Sequence, residues 1–301
     1  MDGESRAGVR VGFVGLGTMG SRMARRLLDH GFSLSVHNRT RDREEPLTSG
    51  GARRAETPAG AASGAGVVVV MVSDTPDVEE VLFGPHGVAE GATAGAVVVD
   101  MSTISPAATR EFGRRLSGLG VGLVDAPVSG GSEGAERGTL AVMAGGSPQD
   151  VEKARPVLEA MASTVTHVGP LGSGQLTKAV NQVIVGGTYL AVAEGILLGL
   201  RAGLDMEAVI EAISHGACRS WVLENRSANM LRDDYPLGFR LALHRKDLRI
   251  ALEEAAAAGV EMPLSSLLAA VEDAAMTAGD GDADVSVVAR ELRRRSLGTT
   301  P

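Results

Sequence analysis

The feature that most constrains the fold is a glycine-rich turn close to the start of the chain. An apolar run at 11–14 leads into Gly15-Leu-Gly-Thr-Met-Gly20, and residues 19–28 then show helical spacing before a second β-like run at 32–36. In such a strand–turn–helix unit the first glycine allows a tight turn, the second lets a pyrophosphate approach the backbone, and the third lets helix and strand pack closely. The pattern predicts dinucleotide binding rather than an ordinary strand-to-helix turn, with the phosphates at the helix N-terminus. The expected contacts are Gly15, Leu16, Gly17, Thr18, Met19 and Gly20.

The end of the second β-like run indicates which dinucleotide is bound. An NAD site usually has Asp or Glu there to accept hydrogen bonds from the ribose 2′-hydroxyl. This chain instead reads Asn38-Arg39-Thr40, and no acid occurs before Asp42. Asn38, Arg39 and Thr40 offer hydrogen-bond donors and one fixed positive charge to a 2′-phosphate. We therefore expect NADP, with NAD as the less favoured cofactor and a solvated basic loop as the alternative interpretation.

Composition excludes several classes of function. The net charge of −8 disfavours a nucleic-acid or anionic-membrane surface, and Cys218 is the single cysteine, which suits a reducing compartment. Residues 1–10 are polar and lack the apolar core of a signal peptide, so we expect a cytoplasmic protein. The apolar stretch 183–200 contains Glu194 and four glycines, so it is interpreted as a buried helix rather than a membrane span.

The order of apolar and helical patterns predicts an α/β fold with two domains. Apolar runs at 67–72, 96–99, 121–124, 139–144 and 164–168 alternate with helical segments, as in a doubly wound, mostly parallel sheet. After Gly174 strand signals are absent, and 175–202 is one long helical pattern. We expect an NADP-binding Rossmann domain at 1–170 and an all-α substrate and dimerisation domain at 171–301, joined by the long helix. The apolar helices of the second domain predict a homodimer or tetramer.

Polar and glycine-rich motifs follow the predicted strands. Asp100-Met-Ser-Thr103 ends one strand, and Asp125-Ala-Pro-Val-Ser-Gly-Gly131 ends the next. In the second motif Ser129, Gly130 and Gly131 can present a hydroxyl and unobstructed peptide N–H groups to an anion. A third motif, Gly169-x-x-Gly172-x-Gly174-x-x-x-Lys178-x-x-Asn181, opens the long helix, with Gln182 beside Asn181. Lys178 and Asn181 are three residues apart and share one helical face.

These ordered motifs resemble the β-hydroxyacid dehydrogenases, the family of 3-hydroxyisobutyrate dehydrogenase, over residues 9–290. The resemblance implies hydride transfer between a nicotinamide cofactor and a small hydroxyacid or semialdehyde, and it implies that Lys178 is the catalytic lysine. It also implies that residues 125–131 bind substrate and that Val72, Ser73, Thr103 and Lys246 lie at the cofactor. Asn38-Arg39-Thr40 is similar to the NADPH-preferring members. Several members have Asn where this chain has Gln182, whereas the tartronate semialdehyde (2-hydroxy-3-oxopropionate) reductases also have Gln.

The same roles can be argued from the chemistry of the side chains. Hydride transfer to a carbonyl carbon requires a proton at the substrate oxygen, and an ammonium can donate it while stabilising the developing alkoxide. Lys178 is the candidate, with Asn181 and Gln182 holding the substrate on one side and Ser129, Gly130 and Gly131 holding its carboxylate on the other. The alternative for Lys178 is an ordinary solvated charge on a helix surface.

Two other classes of function stay open. One is an imine reductase-like enzyme that reduces C=N bonds, and the other is a non-catalytic NADP-binding interaction module; a lysine at position 178 disfavours both. No metal is expected, because the calcium-loop-like spacing of Asp280, Asp282 and Asp284 has Val285 where a glycine is required. The sequence does not select one substrate among tartronate, methylmalonate and succinic semialdehydes, glyoxylate and a sulfonated aldehyde.

Overall fold

The structure is a computed structural model that describes residues 9–297. Residues 1–8, which carry most of the polar N-terminal segment, and residues 298–301 lie outside the described part. The chain divides into two compact units between Lys178 and Ala179. That division falls inside one long helix.

The first unit is built on a single mixed sheet. Its strands are β1 (Arg10–Val14), β2 (Ser33–His37), β3 (Arg53–Arg54), β4 (Val67–Val70), β5 (Val97–Asp100), β6 (Gly122–Asp125), β7 (Val128–Ser129), β8 (Leu140–Gly145) and β9 (Ala162–Gly169). Its helices are α1 (Thr18–Asp29), α2 (Glu45–Thr48), α3 (Pro58–Ala62), α4 (Thr75–Phe83), α5 (Val88–Gly91), α6 (Pro106–Ser117), α7 (Gly131–Arg137), α8 (Pro148–Glu159) and the start of α9 (Ser173–Arg201). A 3₁₀ turn, Arg41–Glu44, precedes α2.

The strand order confirms the predicted doubly wound sheet. The order is β3-β2-β1-β4-β5-β6-β8-β7, and β9 pairs with β8. Strands β1 to β6 pair in parallel, whereas β8 is antiparallel to β6 and β7. Strands β4 and β5 are buried at every position, because helices cover both faces of a doubly wound sheet.

Helix starts follow the capping signals in the sequence. The side chain of Asp74 accepts the peptide N–H of Thr75 at the start of α4, and Ser105 Oγ accepts that of Ala108 in α6. Each of these helices has a proline in its first turn, where no hydrogen-bond donor is lost. These caps place the helix N-termini directly after the carboxyl ends of the preceding strands.

The second unit is helical, as expected. It contains the rest of α9 and then α10 (Met206–Ser214), α11 (Trp221–Arg232), α12 (Leu241–Ala257), α13 (Pro263–Thr277) and α14 (Val288–Leu297), with a 3₁₀ turn at Val285–Val287. Its core includes Tyr189, Ile196, Met230, Leu248 and Leu268. An isolated bridge between Arg240 and Asp284 is the one β-type pairing among the described residues of this unit.

The prediction that residues 183–200 form a buried helix is wrong for the single chain. Ile184 and Leu198 are 65% and 73% exposed, and 33% of the most apolar 18-residue window of α9 is buried. Apolar residues occur around the whole circumference of the segment, so its pattern carries no signal for which face is covered. Within residues 9–297, α9 is the one helix that passes a length-and-composition test for crossing a membrane, which is weak evidence for a span.

Candidate cofactor and substrate site

The first and third glycines of the turn after β1 are required by packing within the protein. Gly15 has φ +97°, and a Cβ there would lie 2.2 Å from the carbonyl oxygen of Met71. A Cβ on Gly20 would lie 2.0 Å from the carbonyl oxygen of Gly15. Both positions therefore need glycine for the tight turn and for the close approach of α1 to β1.

Gly17 differs, because the described residues do not fill the space beside it. A Cβ on Gly17 would meet only Arg43 Nη1, at 4.0 Å. Gly17 is the N-cap of α1, no side chain in the described part of the chain caps it, and the first turn carries no acid. Peptide N–H groups at Thr18 and Met19 therefore face an open position at the positive end of a helix. This cradle fits the pyrophosphate of a dinucleotide.

Asn38 ties the end of β2 to the glycine turn. Its Oδ1 accepts the peptide N–H of Leu16 at 2.7 Å, and its Nδ2 donates to the carbonyl oxygen of Thr40 at 2.8 Å. The side chain that was expected to offer a donor to the cofactor is thus engaged within the loop. Arg39 and Thr40 are both exposed beyond it.

A buried carboxylate that sequence reasoning missed lies under the same loop. Glu44 is fully buried and accepts the peptide N–H of Asn38 at 2.8 Å. Its two oxygens also pair with Arg41 and Arg54, each at 3.0 Å. An acid is therefore close to the end of β2 in space, but it is paired with two arginines, which also pair with the exposed Glu56 and Glu45. Nothing in the sequence pattern indicates that the chain folds back six residues after Asn38.

The ends of β4 and β5 are joined at the same edge of the sheet. The peptide N–H of Val72 donates to Ser102 Oγ at 3.0 Å, and the peptide N–H of Ser102 donates to Asp100 Oδ1 at 3.0 Å. Ser73 and Thr103 directly follow these residues. Since the carboxyl ends of parallel strands meet at one edge, the structure brings these predicted cofactor residues to the edge that carries Gly15–Gly20.

Asp125, at the end of β6, anchors the start of α9. Its Oδ1 accepts the peptide N–H of Gly172 and its Oδ2 that of Gln175, both at 2.8 Å. Burial raises the pKa of Asp125 to about 6, against the lowering effect of the backbone hydrogen bonds from Gly172 and Gln175. A Cβ on Gly174 would lie 2.5 Å from the carbonyl oxygen of Asp125, so the glycine motif marks this close approach.

Gln175 extends the anchor to the residues that follow β5. It is buried, its Nε2 donates to the carbonyl oxygen of Ser102 at 2.8 Å, and its Oε1 accepts the peptide N–H of Ile104 at 3.0 Å. Lys178 follows one helical turn later and is also buried, at 8% exposure. A solvated surface position, the alternative considered for this lysine, is thereby excluded.

The predicted substrate loop, residues 129–131, has a backbone with positive φ angles at both of its glycines. Ser129 ends β7, and Gly130 and Gly131 have φ values of +131° and +64°. Such conformations favour glycine and leave the peptide N–H groups unobstructed by side chains. The loop belongs to the first unit, as do Lys178 and the glycine turn.

The other predicted site residues form a chain of polar contacts in the second unit. Asn181 Nδ2 donates to Gln182 Oε1 at 2.8 Å, and Gln182 Nε2 donates to Asp247 Oδ2 at 2.7 Å. Lys246 Nζ lies 3.0 Å from Asp247 Oδ1. Lys246 therefore lies beside Asp247 on α12, and its role at the cofactor stays a prediction. Among residues 9–297 no group of three or more potential metal ligands is found.

Two protein families that bind NAD(P) match the two parts of this chain. Residues 10–169 match the NAD binding domain of 6-phosphogluconate dehydrogenase, and residues 172–292 match a domain described as NAD-binding of NADP-dependent 3-hydroxyisobutyrate dehydrogenase. Together with the glycine cradle, these matches define an NAD(P)-dependent oxidoreductase of the hydroxyacid dehydrogenase class.

Relatives of full length give the family. The 2-hydroxy-3-oxopropionate reductase of Escherichia coli is 37% identical over 94% of this chain and 97% of its own. The crystal structure of 3-hydroxyisobutyrate dehydrogenase from Salmonella typhimurium is 33% identical with a TM-score of 0.85, covering 94% and 99% of the two chains. Psf3, solved in complex with NADP+ and 2-OPP, is 28% identical with a TM-score of 0.86 and covers 94% and 99%. The chain belongs to the 3-hydroxyisobutyrate dehydrogenase family.

Proposed function

We propose that the protein is an NADP(H)-dependent enzyme that interconverts a small carboxylated aldehyde and the corresponding β-hydroxyacid, with Lys178 as general acid and base. The observation that carries this proposal is the anchoring of α9. Asp125 and Gln175 tie its first turn to the ends of β6 and β5, and Lys178 follows one turn later as a buried cation. A lysine held in this way has a defined position, as proton transfer requires.

The preference for NADP rests on the charges around the end of β2. Arg41 and Arg54 pair with the two oxygens of buried Glu44, so that carboxylate is not free to oppose a 2′-phosphate. Arg39 is exposed, and Arg43 lies near Gly17. An arginine can bind a phosphate through two parallel hydrogen bonds. NAD is the less favoured cofactor.

A reduced nicotinamide cofactor, when bound, would supply the hydride for the carbonyl carbon of the aldehyde. The Lys178 ammonium hydrogen-bonds the carbonyl oxygen and donates a proton to it as negative charge develops there. In the oxidative direction the neutral amine of Lys178 takes the hydroxyl proton. Asn181 and Gln182 orient the reacting end of the substrate through their amide groups.

The carboxylate of the substrate is assigned to the loop after β7. Ser129 offers a hydroxyl, and Gly130 and Gly131 offer peptide N–H groups that a side chain would otherwise cover. A relative named 2-hydroxy-3-oxopropionate reductase acts on a substrate of this type. Gln182 favours the same branch of the family, and tartronate semialdehyde is therefore the first substrate to test.

One panel of substrates tests the proposal. Purified protein is mixed with NADPH and, in turn, tartronate, methylmalonate and succinic semialdehydes, glyoxylate, a sulfonated aldehyde and a cyclic imine, and oxidation is followed by absorbance. Turnover of at least one carboxylated aldehyde, with none of the imine, is expected. Turnover of the imine alone would favour the imine reductase-like alternative. NADPH binding without any turnover would favour the non-catalytic module.

We further propose a cytoplasmic homodimer or tetramer with a small-molecule substrate and with no nucleic-acid or membrane partner. The net charge of −8 opposes binding to nucleic acid or anionic lipid. Val180, Ile184 and Leu198 are all more than half exposed and lie within about 40° of one another around α9. A stripe of this kind is typical of a surface that a second subunit covers.

A further inference from the structure

Helix α12 holds Gln182 at two points, one turn apart. His244 Nε2 lies 3.3 Å from the main-chain carbonyl oxygen of Gln182. Asp247 Oδ2 accepts the side-chain amide of the same residue at 2.7 Å. His244 and Asp247 are three residues apart and therefore share a face of the helix. The first contact fixes the backbone of Gln182, and the second fixes its side chain.

His244 is held in turn by a carboxylate on α13. Its Nδ1 lies 2.5 Å from Glu272 Oε1, and both side chains are fully buried. Burial alone would lower the pKa of His244, but the charge and hydrogen bond of Glu272, together with the charge of Asp247, raise it above its usual value. A carbonyl oxygen can only accept, so Nε2 carries a hydrogen whether the shared proton lies on the ring or on Glu272. His244 therefore donates to Gln182 in either state.

A glycine in α9 makes room for this contact. Gly186 is the residue whose peptide N–H would bond the carbonyl of Gln182 in a regular α-helix. A Cβ on Gly186 would lie 2.6 Å from Cε1 and 2.9 Å from Nε2 of His244. Any other residue at this position would displace the imidazole or the side chain of Leu268, whose Cδ2 would lie 2.7 Å from the same Cβ. The absence of a side chain at Gly186 is independent of the hydrogen bonds of the ring, and it too favours the contact between His244 and the Gln182 carbonyl.

A link between α12 and α13 does not by itself explain why His244 and Glu272 are paired in the interior. Arg245 and Asp273, the next residues along α12 and α13, form a two-bonded ion pair at 2.7 and 3.0 Å on the exposed side. A buried ion pair is often no more stabilising than well-packed apolar side chains. The distinguishing property of His244 is that its second nitrogen reaches a residue of the predicted substrate site.

We propose that the His244–Glu272 pair positions Gln182 and, through it, Asn181, so that His244 is a positioning residue for the reaction. This inference rests on the proposed function. Asp247 accepts from Gln182 Nε2, and Gln182 Oε1 accepts from Asn181 Nδ2, so the orientation of the Asn181 amide depends on that of Gln182. A fixed backbone at Gln182 holds that order in place, and with it the Asn181 amide, whose second Nδ2 hydrogen can donate to a substrate oxygen.

Three substitutions separate positioning from support of the fold. His244→Asn keeps a donor near the Nδ1 position and loses the one at Nε2, whereas His244→Gln keeps a donor near Nε2. Asp273→Asn removes the negative charge of the neighbouring Arg245–Asp273 ion pair on the same two helices and is the matched control. Turnover and KM for the active aldehyde, NADPH affinity and melting temperature are measured for each variant.

We expect His244→Asn to lower kcat by roughly ten- to a hundredfold with NADPH affinity unchanged, because small displacements of orienting groups have effects of this size. His244→Gln should recover most of the lost turnover, and Asp273→Asn should keep wild-type kinetics. If His244→Asn does not fold, Gly186→Ala crowds the ring without removing it. A crystal structure of this variant that shows the imidazole displaced from the Gln182 carbonyl should be accompanied by the same loss of turnover. Wild-type kinetics in His244→Asn, or an equal loss in Asp273→Asn, would overturn the inference.

Crystal structures of the same variants separate this inference from the proposed function. If the wild-type protein reduces none of the aldehydes, the proposed function fails, and the structures still decide the role of His244. Displaced Gln182 and Asn181 side chains in His244→Asn, but not in Asp273→Asn, support positioning. Unmoved side chains in both variants contradict it.

Discussion

Asp125 accepts the peptide N–H of Gln175 at 2.8 Å, and this bond joins the end of β6 to the first turn of α9. The same carboxylate accepts the peptide N–H of Gly172 through its other oxygen. Both donors belong to the segment that leads to Lys178. The position of the proposed proton donor therefore depends on a buried acid that takes no part in the reaction.

The raised pKa of Asp125 predicts how stability changes with pH. The pKa is about 6 in the folded protein against 3.8 for an ordinary Asp, so the folded state favours the protonated form. The associated stabilisation is complete below about pH 4 and is lost as pH rises through about 6, a change on the order of 3 kcal/mol. Urea unfolding between pH 4 and 8 should show this loss in the wild type and not in Asp125→Asn. Asp29→Asn, at an exposed acid, is the control, and identical pH profiles for the wild type and Asp125→Asn would contradict the prediction.

Much of the first unit could be predicted because its elements are long and their patterns are distinct. The apolar run at 67–72 contains β4, which ends at Val70, and the capping signal at Ser105 starts α6. Strands β3 and β7 were missed because two residues carry no periodicity. Helix α14 was missed as well; its sequence, VARELRRRSL, is dominated by charged side chains.

The parts of the site that were predicted from the sequence are those formed by contiguous motifs. The glycine turn and the motif around Lys178 show in the sequence because each is contiguous. Glu44, Gln175 and His244 act through partners that are distant in the chain or are unmarked by spacing. Their roles depend on which strands and helices are neighbours in the fold, and this adjacency cannot be predicted from the local pattern of a single sequence.

Cofactor preference is tested at Arg39. NADPH should bind more tightly than NADH, and Arg39→Ala should remove much of the difference by weakening NADPH alone. The loss of a charge-assisted phosphate contact costs about 1.5–3 kcal/mol. Titration of protein fluorescence with each cofactor measures the preference, and Arg25→Ala, at an exposed arginine paired with Asp29, is the control. Equal or tighter binding of NADH by the unmodified protein would refute the proposed preference.

The exposed stripe on α9 predicts the assembly. Light scattering at micromolar concentration should give the mass of a dimer or tetramer for the wild type. Ile184→Asp should shift the mass toward the monomer, because a charge in an apolar interface loses its hydration without gaining a partner. Leu119→Asp, at a residue of similar character after α6, should not change the mass. A monomeric wild type would exclude this interface.

Ser129 tests the assignment of the substrate carboxylate. Its proposed contact is to a group that does not react, so Ser129→Ala should raise KM and leave kcat close to the wild-type value. Steady-state kinetics with the active aldehyde measure both parameters. A large fall in kcat at unchanged KM would instead place Ser129 at the reacting carbonyl.

The central claim is that Lys178 transfers the proton, and turnover of Lys178→Ala is its most direct test. NADPH affinity and melting temperature should stay close to the wild-type values, while kcat falls by roughly 10²–10⁴-fold. Lys178→Arg should restore little, because a guanidinium stays protonated and cannot act as the base in the oxidative direction. Lys153→Ala, at an exposed lysine, is the matched control and should keep full turnover. Near-normal turnover by folded Lys178→Ala that binds NADPH would contradict the account and place the proton route elsewhere.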